Sequence, residues 1–203
     1  EDESVVISLS GTDIDGDNLT FSLNTDAQSG SVSIDGSVAT YTPTSNYNGD
    51  DSFVFTVSDG ELTDTATVTL TITPVNDVPD LVFDSQDISF DEDTSITVSF
   101  SATDIDEDSL TYTITEGIDI ITEFSGTSII FTAPQNFNGN EFFTVTASDG
   151  ELSDSESFSV TVNAINDAPV ATTGISATTD EDQNIVITIS GNDIDGNSLE
   201  FIL

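Results

Sequence analysis

Lys, Arg, His, Cys, Met and Trp are all absent from this sequence of 203 residues, and each absence removes a class of chemistry. Without His or Cys there is no imidazole base, no thiolate nucleophile and no soft ligand set for zinc or copper. Nucleophilic triads are thereby excluded. Without Lys or Arg nothing can neutralise phosphates, so nucleic acid, nucleotides and anionic membrane are poor partners for a chain of formal charge −39. Disulfides and a Lys–Asn isopeptide staple are also impossible. No apolar run approaches the length of a membrane span, and no charged segment followed by an apolar one opens the chain as a signal peptide would. Any targeting signal is expected to lie outside this sequence, which reads as a piece of a longer protein.

What is present points the other way from disorder. Hydrophobic residues make up 35% of the chain and include 13 Phe, all expected in a folded core. The 39 acidic residues repel one another and have no cationic side chain to offset them, so the compensating charge must come from solution. Hard divalent cations suit this chain, because carboxylates, Asn amides and backbone carbonyls are what it has in quantity. High salt would act in the same direction.

An internal repeat of about 90 residues organises the whole sequence. Glu1-Asp2 recurs as Glu92-Asp93 and Glu181-Asp182, each followed by an alternating apolar run: Val5-Ile7-Leu9, Ile96-Val98-Phe100 and Ile185-Ile187-Ile189. Asp13-Ile14-Asp15 recurs as Asp104-Ile105-Asp106 and Asp193-Ile194-Asp195, ahead of Leu19-Phe21-Leu23, Leu110-Tyr112-Ile114 and Leu199-Phe201-Leu203. Two units continue in step through Asn46-Tyr47-Asn48-Gly49 and Asn136-Phe137-Asn138-Gly139, then Ser58-Asp59-Gly60 and Ser148-Asp149-Gly150. They close on Asn76-Asp77-Val78-Pro79 and Asn166-Asp167-Ala168-Pro169.

Apolar residues two apart, broken by Gly, Asp and Asn, are the pattern of half-buried strands, and further strands read at Phe53-Phe55-Val57, Ala66-Val68-Leu70-Ile72, Phe143-Val145-Ala147 and Phe158-Val160-Val162. The fold class expected is all-β: tandem Greek-key β-sandwiches of immunoglobulin-like architecture, about seven strands per repeat. The domains expected are 1–79, 80–169 and the opening of a third repeat at 170–203, which holds too few strands to enclose a core and should fray.

The Asp-x-Asp element invites comparison with a calcium loop, since alternation places both carboxylates on one face, where they repel unless a cation sits between them. An EF-hand is excluded: after Asp13-x-Asp15-x-Asp17 the sixth position is Asn18 instead of Gly, the twelfth is Asn24 instead of Glu, and the flanks read as strands. Ser-Asp-Gly and Asn-Gly are also ordinary turn formers, so Asp59 and Asp149 have a purely conformational reading too. The Asn-Asp-x-Pro segments can equally serve as stiff spacers.

Taken together, these elements resemble the cadherin-like repeats of large bacterial surface and secreted adhesins. The resemblance implies calcium ions held at junctions between repeats. For the first junction it implies Glu1 and Asp51 (with Asp50 beside it), Asn76 and Asp77, then Asp104, Asp106 and Asp149. For the second it implies Glu92 and Glu141, Asn166 and Asp167, then Asp193 and Asp195. Asp13, Asp15 and Asp59 would be half of a further junction. The sequence departs from animal cadherins at the linker, where Pro74 and Ala164 stand in place of an Asp, and at the acidic turn, which lacks their Arg.

The function expected is a calcium-stiffened extender of an extracellular adhesin, secreted or at the cell surface. Its partners would be neighbouring repeats, with a glycan or protein ligand reached through domains not present in this sequence. The alternative is a module whose own loops bind a glycan or protein; Tyr47 and Phe137, being repeated, read as packing residues. No enzyme is expected: a two-carboxylate glycosidase would need only Asp and Glu, but no pair is singled out. Asn18-Leu19-Thr20 is a glycosylation sequon of little specificity.

Overall fold

A computed structural model describes residues 1–83 and 87–202, and no described residue is helical. The chain divides into two compact units, Glu1–Asp77 and Val78–Leu203. Residues 170–203 cluster with the second unit, and the division falls two residues before the expected boundary.

The first unit contains β1 (Val5–Ser8), β2 (Thr20–Thr25), β3 (Gly30–Asp35), β4 (Val38–Pro43), β5 (Gly49–Ser58) and β6 (Thr63–Ile72). They form two antiparallel sheets, ordered β1-β4-β3 and β2-β5-β6. Alternation turns Val32, Ala39 and Tyr41 of one sheet and Phe53 and Phe55 of the other toward each other, and these close a single core with Leu9. The architecture is therefore a β-sandwich. β3 turns into β4 through two residues, and Gly36 at φ +58° supplies the left-handed backbone that so tight a hairpin needs.

The second unit repeats this plan and adds to it. Its strands are β7 (Asp80–Val82), β8 (Asp87–Asp91), β9 (Ser95–Ser99), β10 (Ser101–Thr103), β11 (Thr111–Ile114), β12 (Ile121–Ser125), β13 (Ser128–Thr132), β14 (Gly139–Ser148) and β15 (Ser153–Asn163), followed by β16 (Val170–Ala171) and β17 (Gly191–Asn192). The sheets are β12-β13-β9 and β11-β14-β15-β8, with two-stranded pairs β10-β7 and β16-β17. β8 joins β15 in parallel, Ile88 opposite Val160 and Phe90 opposite Val162. The core is larger than that of the first unit. Phe158 lies at its centre, stacked on Phe83 at 4.3 Å between ring centroids, with Phe131 at 5.9 Å and Phe143 at 6.2 Å.

Three expectations require correction. Ile185, Ile187 and Ile189 form no strand and are about half exposed, because residues 170–203 offer no second sheet for them to pack on. Not every Phe is core: Phe142 is 78% exposed and Phe201 50% exposed. Phe142 lies between the inward-facing Glu141 and Phe143 on β14, so the two-residue period points it outward. The third apolar triplet is also unformed at Leu199 and Phe201, and Leu203 lies outside the described residues.

Phe158 and Val68 occupy the same place in the two units, each opposite a buried Phe on the neighbouring strand. Phe158 is 3% exposed and Val68 only half-buried. Urea unfolding of Phe158→Ala should show a loss of about 3–5 kcal/mol, against about 1–2 kcal/mol for Val68→Ala.

Candidate metal centre

The Glu-Asp pair that opens each repeat has the same local geometry wherever its partners are present. Asp2 and Asp93 adopt positive φ, 62° and 61°, which Asp tolerates better than most residues. Their Oδ1 atoms accept the backbone N–H of Asn46 and Asn136, each at 3.0 Å, fastening the opening of the unit to its Asn-rich turn. The preceding Glu reaches the segment that leaves the unit. Glu1 Oε1 accepts the N–H of Val75 at 2.9 Å, and Glu92 Oε1 that of Ile165 at 2.6 Å. Asp2 and Asp93 were missed as anchors by sequence reasoning, although their recurrence beside Glu was the signal.

Each Asp-x-Asp element is a turn organised by its first carboxylate. Asp13 Oδ1 accepts the N–H groups of Asp15, Gly16 and Asp17. Asp104 Oδ1 accepts those of Asp106 and Asp108, and Asp193 Oδ1 those of Asp195 and Asn197. The Ser-Asp-Gly turns are closed likewise: Asp59 Oδ1 takes Glu61 and Leu62, and Asp149 Oδ1 takes Glu151 and Leu152. These two bonds hold the Asp59 carboxyl below the usual carboxylate range.

Carboxylates converge in two places within the second unit. Asp104, Asp106 and Asp108 bring one oxygen each to within 4.8 Å of one another on a single turn; Asp108 extends the alternation by one step beyond the residues expected. The other group is assembled from distant segments. Glu92 follows β8, Asp167 belongs to the Asn-Asp-x-Pro segment, Asp195 to the turn after β17, and their oxygens meet within the same distance.

Glu92 is 5% exposed and is the one buried acidic side chain among the described residues. Asp167 Oδ2 is buried and accepts no hydrogen bond. Burial, then the charges of Asp195, Asp93, Glu92 and Asp193, push the Asp167 carboxyl up. Asp195 Oδ2 accepts the backbone N–H of Asp167 at 2.6 Å, and Asn197 Nδ2 donates to Asn166 Oδ1, so the turn and the linker are already in contact. Three carboxylates and an amide gathered with no cationic side chain nearby are a donor set suited to a hard cation.

The remaining expected ligands divide in their fates. Glu1 opens the first unit, and Asn76 and Asp77 close the segment whose Val75 it holds; Asn76 Nδ2 donates to the Asp77 carbonyl, as Asn166 does to Asp167. Asp51 and Glu141 belong elsewhere. Asp51 accepts the N–H groups of Ser52, Gln28 and Ser29 and the hydroxyl of Tyr41, at 2.8 to 3.1 Å. Glu141 accepts those of Ile118, Asp119 and Ile120, and Gly117 lets the loop wrap this closely because a Cβ there would strike the Ile120 carbonyl. Neither carboxylate is among those that converge, because each is committed to pinning a loop of its own sandwich, Asp51 that between β2 and β3 and Glu141 that between β11 and β12. Asp50 instead accepts the Thr71 hydroxyl.

Two tandem β-sandwiches with repeated acidic turns define a class of modular repeat protein. A family model described as bacterial Ig domain matches residues 1–71 and again 76–163, and the chain belongs to that family. No curated protein matches. Similar solved structures include an endo-fucoidan hydrolase of glycoside hydrolase family 107 (22% identity over 81% of this chain, TM-score 0.33). Domains 4 and 5 of the S-layer protein SbsC match at 19% identity over 72% of this chain and 70% of theirs, with a TM-score of 0.36. A chimeric titin Z1Z2 matches at 12% over 81% of this chain and 91% of its own, with a TM-score of 0.31. This chain spans 26% of the hydrolase.

The Asp51 cluster carries a pH dependence of definite sign. Burial raises the Asp51 carboxyl, but the hydrogen bonds from Ser52, Gln28, Ser29 and Tyr41 outweigh it and leave its pKa lowered. A lowered folded-state pKa gives stabilisation that is complete above the unfolded value of about 3.9 and disappears as pH falls through the folded value. Asp51→Ala should therefore cost about 1–3 kcal/mol near neutrality, and the gap to the parent should close on acidification below about pH 4. Tyr41, pushed up to about 12 by burial and then by Asp51, stabilises below about pH 10 and ceases to do so as pH rises through its folded value.

Proposed function

We propose that this chain is part of an extracellular extender whose repeats are stiffened by calcium, and that Glu92, Asp167 and Asp195 form the carboxylate core of one ion site. The observation that carries the reading is the convergence of these three side chains from three separate segments, with Glu92 buried and the Asp167 carboxyl pushed up by burial and then by its charged neighbours. Calcium takes six to eight oxygens, and carbonyls of the linker and Asn166 would complete the set. Membership of a bacterial Ig domain family agrees with a secreted or surface location.

The mechanism is linkage. An ion that binds only when the end of one repeat, the linker and the start of the next are together stabilises that arrangement by RT ln(1 + [Ca]/Kd), about 2.7 kcal/mol at a hundred times Kd. Inter-domain motion is the default where contacts are small, so the ion converts a jointed string into a stiffer one. The turn bonds of Asp104 and Asp193 each use Oδ1 and leave carboxylate lone pairs for the ion.

A binding role has one specific observation in its favour. The second unit exposes Phe142 at 78% and Ile118 at 93%, and the residue of the first unit in the place of Phe142 is Ser52. An apolar contact confined to one repeat suits recognition better than scaffolding.

Calcium titration by calorimetry, with thermal melts and small-angle scattering in calcium, magnesium and chelator at fixed ionic strength, tests the extender. Extracellular calcium modules bind at about 0.1 to 1 mM, and Asp195→Asn should weaken that affinity by about tenfold or more. Absence of heat, of a melting shift and of elongation in calcium would remove the reading. Phe142→Ala should leave the calcium response intact.

A further inference from the structure

One face of the first sandwich departs from its counterpart at three adjacent points. Alternation turns Asp50 and Ser52 of β5 and Thr69 and Thr71 of β6 outward, because Phe53, Leu70 and Ile72 beside them pack on the core. In the second unit Asn140, Phe142, Ser159 and Thr161 take these places. The Thr71 hydroxyl donates to Asp50 Oδ1 at 2.9 Å, and Asn140 Nδ2 donates to Thr161 Oγ1 at 2.8 Å, so the cross-strand bond is kept in both units. What changes is a carboxylate for an amide and, next to it, a small Ser52 for a Phe142 that is 78% exposed. The third point is backbone. The pairing of β2 with β5 shifts register between Leu23 and Thr25, whereas β11 pairs with β14 in continuous register. Such a bulge bends the strand and re-aims the side chains at its end.

A hollow of about 610 Å³ lies where these differences fall, over the start of β5. Asp26 and Gln28 of the loop after β2 border it on one side, Thr69 and Thr71 on the other, and Ser52 stands between them. Its size is that of small-molecule sites, about 300 to 1,000 Å³. The loop wall is fixed by the fold itself: Asp51 takes the N–H groups of Gln28 and Ser29, and Asp26 Oδ1 takes those of Ala27 and Val32, both at 2.9 Å. A preformed wall spares a ligand the cost of ordering it.

The lining sets the chemical class of that ligand. It offers carboxylates as acceptors, the Gln28 amide, and the hydroxyls of Thr25, Ser52 and Thr69 as donors or acceptors, while the chain has no cationic side chain to meet an acid. The bonds of Asp26 and Asp50 within the fold use Oδ1, so acceptor capacity remains at both. Asp26, Asp50 and Asp51 are not among the carboxylates whose oxygens meet within 4.8 Å, so they are spread too widely for all three to share one bare ion. Hydroxyl groups spaced around a sugar ring suit separated acceptors of this kind, since each can donate one bond and accept another. A cation, by contrast, is attracted to any part of a surface of charge −39 and needs no hollow.

We infer that the outer face of the first unit, around Ser52, is a binding site for a neutral saccharide, with Asp26 and Asp50 accepting bonds from its hydroxyl groups. The inference extends the binding role from Phe142 to the same face of the first unit. It is independent of the calcium site, whose three carboxylates all lie in the second unit.

The test is affinity electrophoresis of the full chain, in chelator, through native gels cast with dextran, xylan or a mixed-linkage β-glucan. One of these should retard the chain, and amide NMR shifts on adding the matching oligosaccharide should centre on Gln28, Ser52 and Thr69. Ser52→Phe and Asp50→Asn give the first unit the side chains that the second carries at those places. Both should leave the melting temperature nearly unchanged while weakening retention about tenfold. No retardation in any of the gels, or retardation that Ser52→Phe leaves intact, would overturn the inference. Retention lost in Phe142→Ala but kept in Ser52→Phe would overturn it as well, and would leave the binding role to the second unit alone. So would retention on chitosan only, since that marks general attraction of a cationic polymer to the acidic surface.

Discussion

Carboxylates without a cationic side chain are the constraint around which the rest of this molecule is arranged. With 39 acidic residues and no Lys or Arg, a carboxylate that leaves water must be met by N–H groups, by hydroxyls or by an ion from solution. The backbone meets several of the described ones. Asp13, Asp59, Asp104, Asp149 and Asp193 each collect two or three N–H groups of their own turn, and Asp51 and Glu141 collect those of a whole loop. The acidity that looks like a solubility feature in the composition is thus a means of building loops in a chain with no disulfides.

Where the backbone does not suffice, the structure gathers like charges. Glu92 and Asp195 each accept an N–H bond, yet Asp167 Oδ2 is buried with none, and burial, then neighbouring carboxylates, push the Asp167 carboxyl up. Stability elsewhere in the fold, chiefly the Phe cluster around Phe158, sustains this unfavourable convergence. A buried carboxylate oxygen with no hydrogen bond, set among like charges, is the physical argument for a ligand there.

The strand pattern was the most legible part of the fold, since a period of two with β-branched and aromatic residues has few other readings. Strands at Phe53-Phe55, Val68-Leu70-Ile72, Phe143-Val145 and Phe158-Val160-Val162 all form where alternation placed them. It misled at Ile185-Ile187-Ile189, which has the pattern but no facing sheet, and at Phe142, where one strand carries adjacent Phe residues and only one can face inward. Asp51 and Glu141 lie apart from the converging carboxylates for a different reason. Their repetition was real, but repetition marks any shared role, and whether a carboxylate ends on an ion or on a loop depends on which N–H groups the fold brings to it.

By itself the sequence determined the chemistry available: no imidazole base, no thiolate, no soft metal set, no phosphate clamp, and oxygen donors in tandem order on an all-β repeat. It did so because composition excludes functions irrespective of geometry, and because a repeated motif keeps its spacing in any conformation. Only the tertiary structure decided which acidic residues meet. Glu92 and Asp167 are 75 positions apart in the sequence, and Asp195 lies 28 beyond Asp167. Their convergence follows from the parallel pairing of β8 with β15, the contact of the linker with the Asp193–Asn197 turn, and the burial of Glu92 that these produce.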